Sequence, residues 1–276
     1  MRIISLNCWG GRVPGLIDWL KKANADVYCL QEVYHSPNAD VETASDHVTD
    51  RDRGGKSLEI RTNLFTEIGH ALTDEYHRYF WPTTRWQLEG RSSEIEVYYG
   101  IATYIRGTIP APVMQTRFVH EEFRVVPRTE LPTPRIAHAV QLYPGARFLF
   151  VAHMHGLWDP RGKQDTLARD VQFIKFRDLV DEMTASGSLP AVVCGDFNIL
   201  PDSKYLKDLK RMGFRELVAE GNYKGTRTSF YKRAPENRPP HFADYMLVNS
   251  RVKVQKFDVV YDPEVSDHCP LVLDIE

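Results

Sequence analysis

Four apolar residues in a row, Ala191-Val192-Val193-Cys194, run into Gly195-Asp196-Phe197-Asn198. An uncharged run without turn formers needs cover on both faces, which predicts a buried strand. The glycine breaks it and leaves Asp196 and Asn198 at the carboxyl end, two residues apart and facing the same way. The same build recurs elsewhere. Arg2-Ile3-Ile4-Ser5-Leu6-Asn7 predicts an opening strand that finishes on an amide, and Asp26 to Val33 runs apolar into Gln31-Glu32. Near the other end, Ser266-Asp267-His268 precedes Cys269 to Ile275, which alternates into a last strand.

Between these runs, apolar spacing predicts helices over Val13–Ala25, Leu58–Leu72, Thr166–Thr184 and Ser203–Met212. In the third, Leu167, Val171, Ile174, Leu179 and Val180 make the expected buried side. Further strands are predicted over Tyr98–Arg106, Val113–Val119, Leu189–Cys194, Phe242–Asn249, Val252–Val260 and Leu271–Ile275. Arg135–Tyr143 and Arg147–His155 form an antiparallel pair around Pro144-Gly145. His35 to Lys56 is polar and turn-rich and predicts a long surface loop. No repeat, low-complexity tract or linker divides the chain, so residues 1–276 are expected to form a single domain.

Composition adds little to this. Apolar residues make up 42% and charged residues 26%, as in ordinary globular proteins. No segment approaches the ~20 apolar residues that cross a bilayer, and Met1-Arg2 leads straight into a strand, so a cytoplasmic location is expected. The four cysteines, Cys8, Cys29, Cys194 and Cys269, adjoin apolar strands and form no CxxC pair, which argues for buried hydrophobes rather than a zinc ribbon. The net charge is −2. Proteins that track long nucleic acid usually carry a basic excess, and this chain carries none.

The polar strand ends matter more. Asn7, Glu32, Asp196, Asn198, Asp267 and His268 each close or open an apolar strand, and a core has no use for that many buried polar groups. Catalytic groups do gather where strands deliver their ends to one edge. In this order, Asn7, Gln31-Glu32, Gly195-Asp196-Phe197-Asn198, Ala243-Asp244-Tyr245 and Ser266-Asp267-His268 resemble the successive motifs of the endonuclease/exonuclease/phosphatase family, which is DNase I-like. The resemblance implies an α/β (α+β) fold, a four-layer sandwich of two mostly antiparallel sheets flanked by helices. It also implies a divalent cation, usually magnesium with manganese as a substitute, and cleavage of a phosphoester.

The residue chemistry fits that expectation. Magnesium takes hard oxygen donors, so Glu32 is the expected metal ligand, with Asn7 and Asp267 completing the site. His268 is the expected general base or phosphate stabiliser. Asp244, a charge inside an apolar strand, is its expected partner. Asp196 either protonates the leaving oxygen or positions the attacking water. Asn198 is placed to hydrogen-bond a non-bridging phosphate oxygen. His153 and His155 point the same way at another strand end, and either aligns with the family histidine that contacts phosphate. His155 is preferred because Gly156 ends the strand. Arg135 resembles a family arginine that touches substrate phosphate.

Some motifs are excluded. The His-x-His pair opens a metallo-β-lactamase motif, but Leu157-Trp158 stand where Asp-His is needed. Gly54-Gly55-Lys56-Ser57 lacks the leading glycine and strand of a P-loop. Trp9 stands where repair-type relatives carry a second polar residue, which argues against abasic-site repair. The basic segment Lys224 to Arg238 is a candidate rim for an anionic substrate. Phe80, Trp81 and Trp86 are candidates for base stacking, with core packing the plainer role. The favoured function is a phosphodiesterase or nuclease acting on a phosphoester substrate, nucleic acid or small phosphorylated molecule. The alternatives are a phosphatase or phospholipase-type hydrolase, and a catalytically silent binding module on the same fold. No membrane span and no protein partner is expected.

Overall fold

A computed structural model of the chain describes residues 1–37, 47–51, 57–87, 96–127, 134–185, 187–231 and 242–276. In chain order the elements are β1 (Arg2–Asn7), α1 (Leu16–Ala23), β2 (Val27–His35), β3 (His47–Arg51), β4 (Ser57–Arg61), α2 (Leu64–Ala71), β5 (Tyr76–Gln87), β6 (Val97–Arg106), β7 (Val113–His120) and β8 (Arg124–Pro127). They continue with β9 (Arg135–Leu142), β10 (Leu149–His155), α3 (Leu167–Thr184), β11 (Ala191–Asp196), α4 (Lys204–Arg211), β12 (Phe214–Glu216), α5 (Leu217–Glu220), β13 (Asp244–Asn249), β14 (Val254–Val259) and β15 (Leu271–Ile275).

Two large sheets result. One has the order β14-β15-β1-β2-β6-β5-β8, the other β12-β13-β11-β10-β9-β7, and β3 and β4 pair separately. The apolar runs explain the layering, because successive side chains enter different cores. Ile3, Val27, Cys29, Val151, Val192 and Leu271 meet between the sheets. Ile4, Leu6, Tyr28 and Leu30 face outward against Leu16 and Leu20 of α1 and Leu64 and Ile68 of α2. On the far side, Phe150, Val193 and Tyr245 face outward against Phe176 and Leu179 of α3 and Leu206 of α4. The order is helix, sheet, sheet, helix, the α/β sandwich that the family resemblance implied.

The topology sends polar ends to one edge. β1 runs parallel to β2, and β10 parallel to β11, each pair joined through a helix. Asn7, Glu32, His155 and Asp196 therefore lie at or near carboxyl ends on the same side. β13 runs antiparallel to β11 with Asp244 opposite Asp196, so its amino end reaches that edge. β15 runs antiparallel to β1 with Leu271 opposite Ser5, which carries His268 there as well.

Three expectations need correction. Leu58–Leu72 is not one helix: β4 occupies Ser57–Arg61 and the helix starts at Leu64, after Asn63. His35–Lys56 is not wholly loop, because β2 extends to His35 and His47–Arg51 pairs with β4; residues 38–46 and 52–56 lie outside the described ones. In α3, Leu167, Val171 and Ile174 are 83%, 51% and 49% exposed, while Phe173, Phe176, Leu179 and Val180 are buried with Arg169 and Gln172. Aromatic packing sets that rotation: Phe173 stacks on Tyr205 at 4.3 Å, and Phe176 meets Phe197 edge-on at 5.7 Å. Aromatic rings bury more area than the branched aliphatics facing the other way. The pattern also predicts nothing over 76–87, where β5 forms. Pro82 in its middle is tolerated because the register shifts between Pro82 and Thr84, at a bulge. Among the described residues no helix is long and apolar enough to cross a membrane.

Candidate active site

The edge where these strands meet carries a dense polar cluster. Asn7 Nδ2 donates to Glu32 Oε1 and to Asp196 Oδ2, both at 3.0 Å, and so ties the two sheets together. Asn7 Oδ1 accepts the Trp9 backbone N–H at 3.0 Å, which fixes the amide's orientation. Ser266 Oγ donates to the Asn7 carbonyl at 2.7 Å and draws the C-terminal motif in. Residues about 260 positions apart in sequence thereby share one floor.

Local backbone irregularity aims the key carboxylates. Leu30 pairs with Ala102 and Val33 with Gly100, so Gln31 and Glu32 together oppose Ile101 in a bulge. Glu32 sits there at φ 52°, a left-handed conformation costly for a residue with Cβ. Asn198 is also left-handed, at φ 53°, where asparagine is better tolerated. Gly195 has φ 132°, and an added Cβ would lie 2.1 Å from the Met154 carbonyl oxygen. Gly195→Ala is expected to cost about 3 kcal/mol, from strained φ plus overpacking, seen as a lower midpoint in urea unfolding.

His268 and Asp244 form the core of the cluster. His268 Nδ1 lies 2.9 Å from both Asp244 carboxylate oxygens, and both side chains are buried. The far nitrogen, Nε2, is 3.6 Å from Asp196 Oδ2 and 3.7 Å from Asp267 Oδ1. Burial, then the nearby Arg227 charge, pushes His268 down to about 4. Burial raises Asp244 to about 6. At neutral pH the imidazole is therefore neutral and the carboxyl ionised, with Nδ1–H donating and a lone pair on Nε2.

His155 Nε2 reaches 3.8 Å from Glu32 Oε1 and 3.7 Å from Asp196 Oδ2, and burial followed by Arg135 holds the ring far below its ordinary value. His153 takes a different place. One pleat deeper, its Nδ1 lies 3.4 Å from Gln31 Nε2 and its Nε2 2.8 Å from Thr103 Oγ1, whose oxygen also meets His138 Nδ1 at 2.8 Å. With both nitrogens engaged between the sheets, His153 is not offered to a phosphate. Arg135 is buried, and its Nε donates to the Gly156 carbonyl at 2.8 Å. Asn198 Nδ2 shares that carbonyl at 3.3 Å, and its backbone N–H donates to Asp196 Oδ1.

A cation has two sets of donors here. Asp196, Asp244 and His268 place ligand atoms within 4.8 Å of one another. The second set is all oxygen. Asp267 Oδ1 is buried without a hydrogen-bond partner among the described residues. Glu32 is raised by burial and next by the Asp267 charge, so the two carboxylates repel each other. A hard divalent ion fits that pair, with Asn7 beside it. Magnesium takes oxygen donors in preference to imidazole nitrogen, which favours the oxygen set.

Sequence patterns did not reveal Tyr99 or Lys163. Tyr99 OH lies 3.4 Å from His155 Nδ1, a position marked only by strand alternation. Lys163 comes from the segment between β10 and α3, where no motif flags it. Of the basic segment, Arg227 lies inside the cluster, bonded to Asp267 Oδ2 at 2.8 Å. Lys232, Arg233 and Arg238 lie outside the described residues. Phe80 packs on Phe65 and His35, and Trp81 on His138; nothing is described of the Trp86 side chain.

Four layers with amides, carboxylates and histidines at one sheet edge define a phosphoesterase fold. The chain belongs to the endonuclease/exonuclease/phosphatase family, whose sequence profile matches residues 4–268. Members of this family are phosphoester hydrolases, typically dependent on a divalent metal. No curated protein matches the sequence. Among solved structures, the mannosyl-6-phosphatase of Bacteroides thetaiotaomicron is similar with a TM-score of 0.66 at 14% identity, covering 100% of this chain and 99% of that one. A family protein of Leptotrichia buccalis gives 0.66 at 15% identity, covering 100% and 99%. The human Nocturnin catalytic domain with bound sulfate gives 0.60 at 17% identity, covering 100% and 93%. At such identities the likeness is one of fold.

Proposed function

We propose that this chain is a divalent-cation-assisted phosphoester hydrolase. The carrying observation is the placement of His268, held on Asp244 at one nitrogen and presenting the other 3.6 Å from Asp196. That gap exceeds a hydrogen bond and offers two acceptors to the protons of an attacking water. His268 Nε2 takes the proton, with Asp196 orienting the water toward phosphorus. Asp244 keeps the ring in the required tautomer and stabilises the imidazolium that forms. Asn198 has a second amide proton for a non-bridging oxygen, where charge grows in the transition state. His155 lies beside it at the end of β10. Glu32 and Asp267, with Asn7, would hold magnesium or manganese, which when bound screens the phosphoryl charge.

The comparison names support a phosphate-type substrate: one similar structure is named a phosphatase, and another holds sulfate. Hydrolysis of bis(p-nitrophenyl) phosphate or p-nitrophenyl phosphate in magnesium is the expected activity. In EDTA it is expected to fall by at least about a hundredfold and to return with magnesium or manganese. Full activity in EDTA would overturn the cation's role.

A further inference from the structure

The segment between β10 and α3 is held firmly although it carries no regular structure. Arg169 is buried beneath it, donating to the carbonyls of Gln164 at 2.6 Å, Gly162 at 2.9 Å and Leu157 at 3.1 Å. This clamp fixes Lys163. Its ammonium donates to the Phe242 carbonyl at 2.6 Å, two residues before Asp244. That is its one hydrogen bond among the described residues, and an ammonium has three donors.

Arg227 comes from the segment between α5 and β13. Its backbone bridges to His268, which places the side chain against the C-terminal motif. The side chain is 6% exposed and uses Nη1 on Asp267, while Nε is buried without a partner among the described residues. Both cations lie near one ring, with Arg227 Cζ 4.4 Å and Lys163 Nζ 6.0 Å from the Tyr231 centroid. Their positive charges repel. Burial and the Arg227 charge together push Lys163 down to about 8. Asp196, Asp244 and Asp267 offset part of that repulsion, and an anion lying between the two cations would offset more of it.

The number of oxygens decides which anion. A phosphodiester offers two non-bridging oxygens, and one of them belongs at the cation held by Glu32 and Asp267. Its second ester arm would set carbon against a buried guanidinium and leave donors unmet. A terminal phosphate has a third charged oxygen for those donors. Building on the hydrolase reading above, we propose that Lys163 and Arg227 form the receptor for that third oxygen, so that the substrate class is a phosphomonoester. This departs from the diester that the sequence favours.

The test compares p-nitrophenyl phosphate with bis(p-nitrophenyl) phosphate in magnesium, and measures inorganic phosphate binding by calorimetry. The wild-type chain is expected to prefer the monoester. Lys163→Met is expected to lower monoester kcat/KM by about 10- to 100-fold, mainly through KM, with diester turnover changed less than about threefold. Lys163→Arg should restore part of the loss, and phosphate binding should weaken in parallel in Lys163→Met. Diester preference in the wild type, equal loss on both esters, or unchanged phosphate binding in Lys163→Met would each overturn the receptor. If neither ester is cleaved but phosphate binding still depends on Lys163, the receptor stands and the hydrolase reading fails.

Discussion

Glu32→Gln is expected to lower kcat/KM by about a thousandfold while leaving the chain folded. Glutamine keeps the length of the side chain and an acceptor for Asn7, and it removes the charge. In the ion-free protein that charge is a burden, because burial and the neighbouring Asp267 both raise the Glu32 pKa. The sign follows from linkage. The folded chain holds the Glu32 proton more tightly than the unfolded chain, so its stability contribution declines as pH rises through the raised folded value. At neutral pH the ionised carboxyl therefore weakens the fold until a cation joins it. The expected signature is a reversal. In EDTA, Glu32→Gln melts above the wild type; in magnesium the wild type gains stability by mass action and the variant does not. Equal magnesium-induced stabilisation of both proteins would remove Glu32 from the cation site, whatever the activity.

Much of this site was visible in the residues because Asn7, His155, Asp196 and Asp244 sit at the ends of apolar strands, while Glu32 lies in a bulge within β2. The run before Asp196 has to be a buried strand, although it continues in register through Gly195 to Asp196 instead of breaking at the glycine. Once the parallel pairs β1–β2 and β10–β11 form, Asn7, Glu32, His155 and Asp196 have one edge to go to. Pattern does not show depth. His153 and His155 share a face, and only Gly156 at the strand end favours His155; the structure separates them by one pleat, which puts His153 against Thr103 and Gln31. Nor does pattern weigh aromatic against aliphatic faces. The apolar stripe of α3 that points outward is as regular as the one that is buried, and Phe173 and Phe176 decide between them. Lys163 was illegible for a third reason: its position depends on Arg169 bonding three backbone carbonyls, and no side-chain spacing encodes that.

Asp244→Asn is expected to lower kcat by about a thousandfold or more, with KM little changed, because it attacks the tautomer rather than the shape of the site. With Asp244 ionised, Nδ1 carries the proton and Nε2 keeps its lone pair toward Asp196. An asparagine amide can donate to Nδ1 instead, which moves the proton to Nε2 and leaves nothing there to accept one from water. The fold should survive, since the change removes a buried charge and the backbone N–H groups of Ala243 and Asp244 remain on Thr226 Oγ1. The pH profile supplies an independent check. Because burial and Arg227 hold His268 below its ordinary value of about 6.5, the wild-type rate should rise with pH along an acid limb below that value and level off above it. His268→Ala should fall to the level of Asp244→Asn, and the double variant no further, because the two residues act as one unit. Losses that multiply in the double variant would show that Asp244 and His268 act separately, and the base would then have to be sought at Asp196.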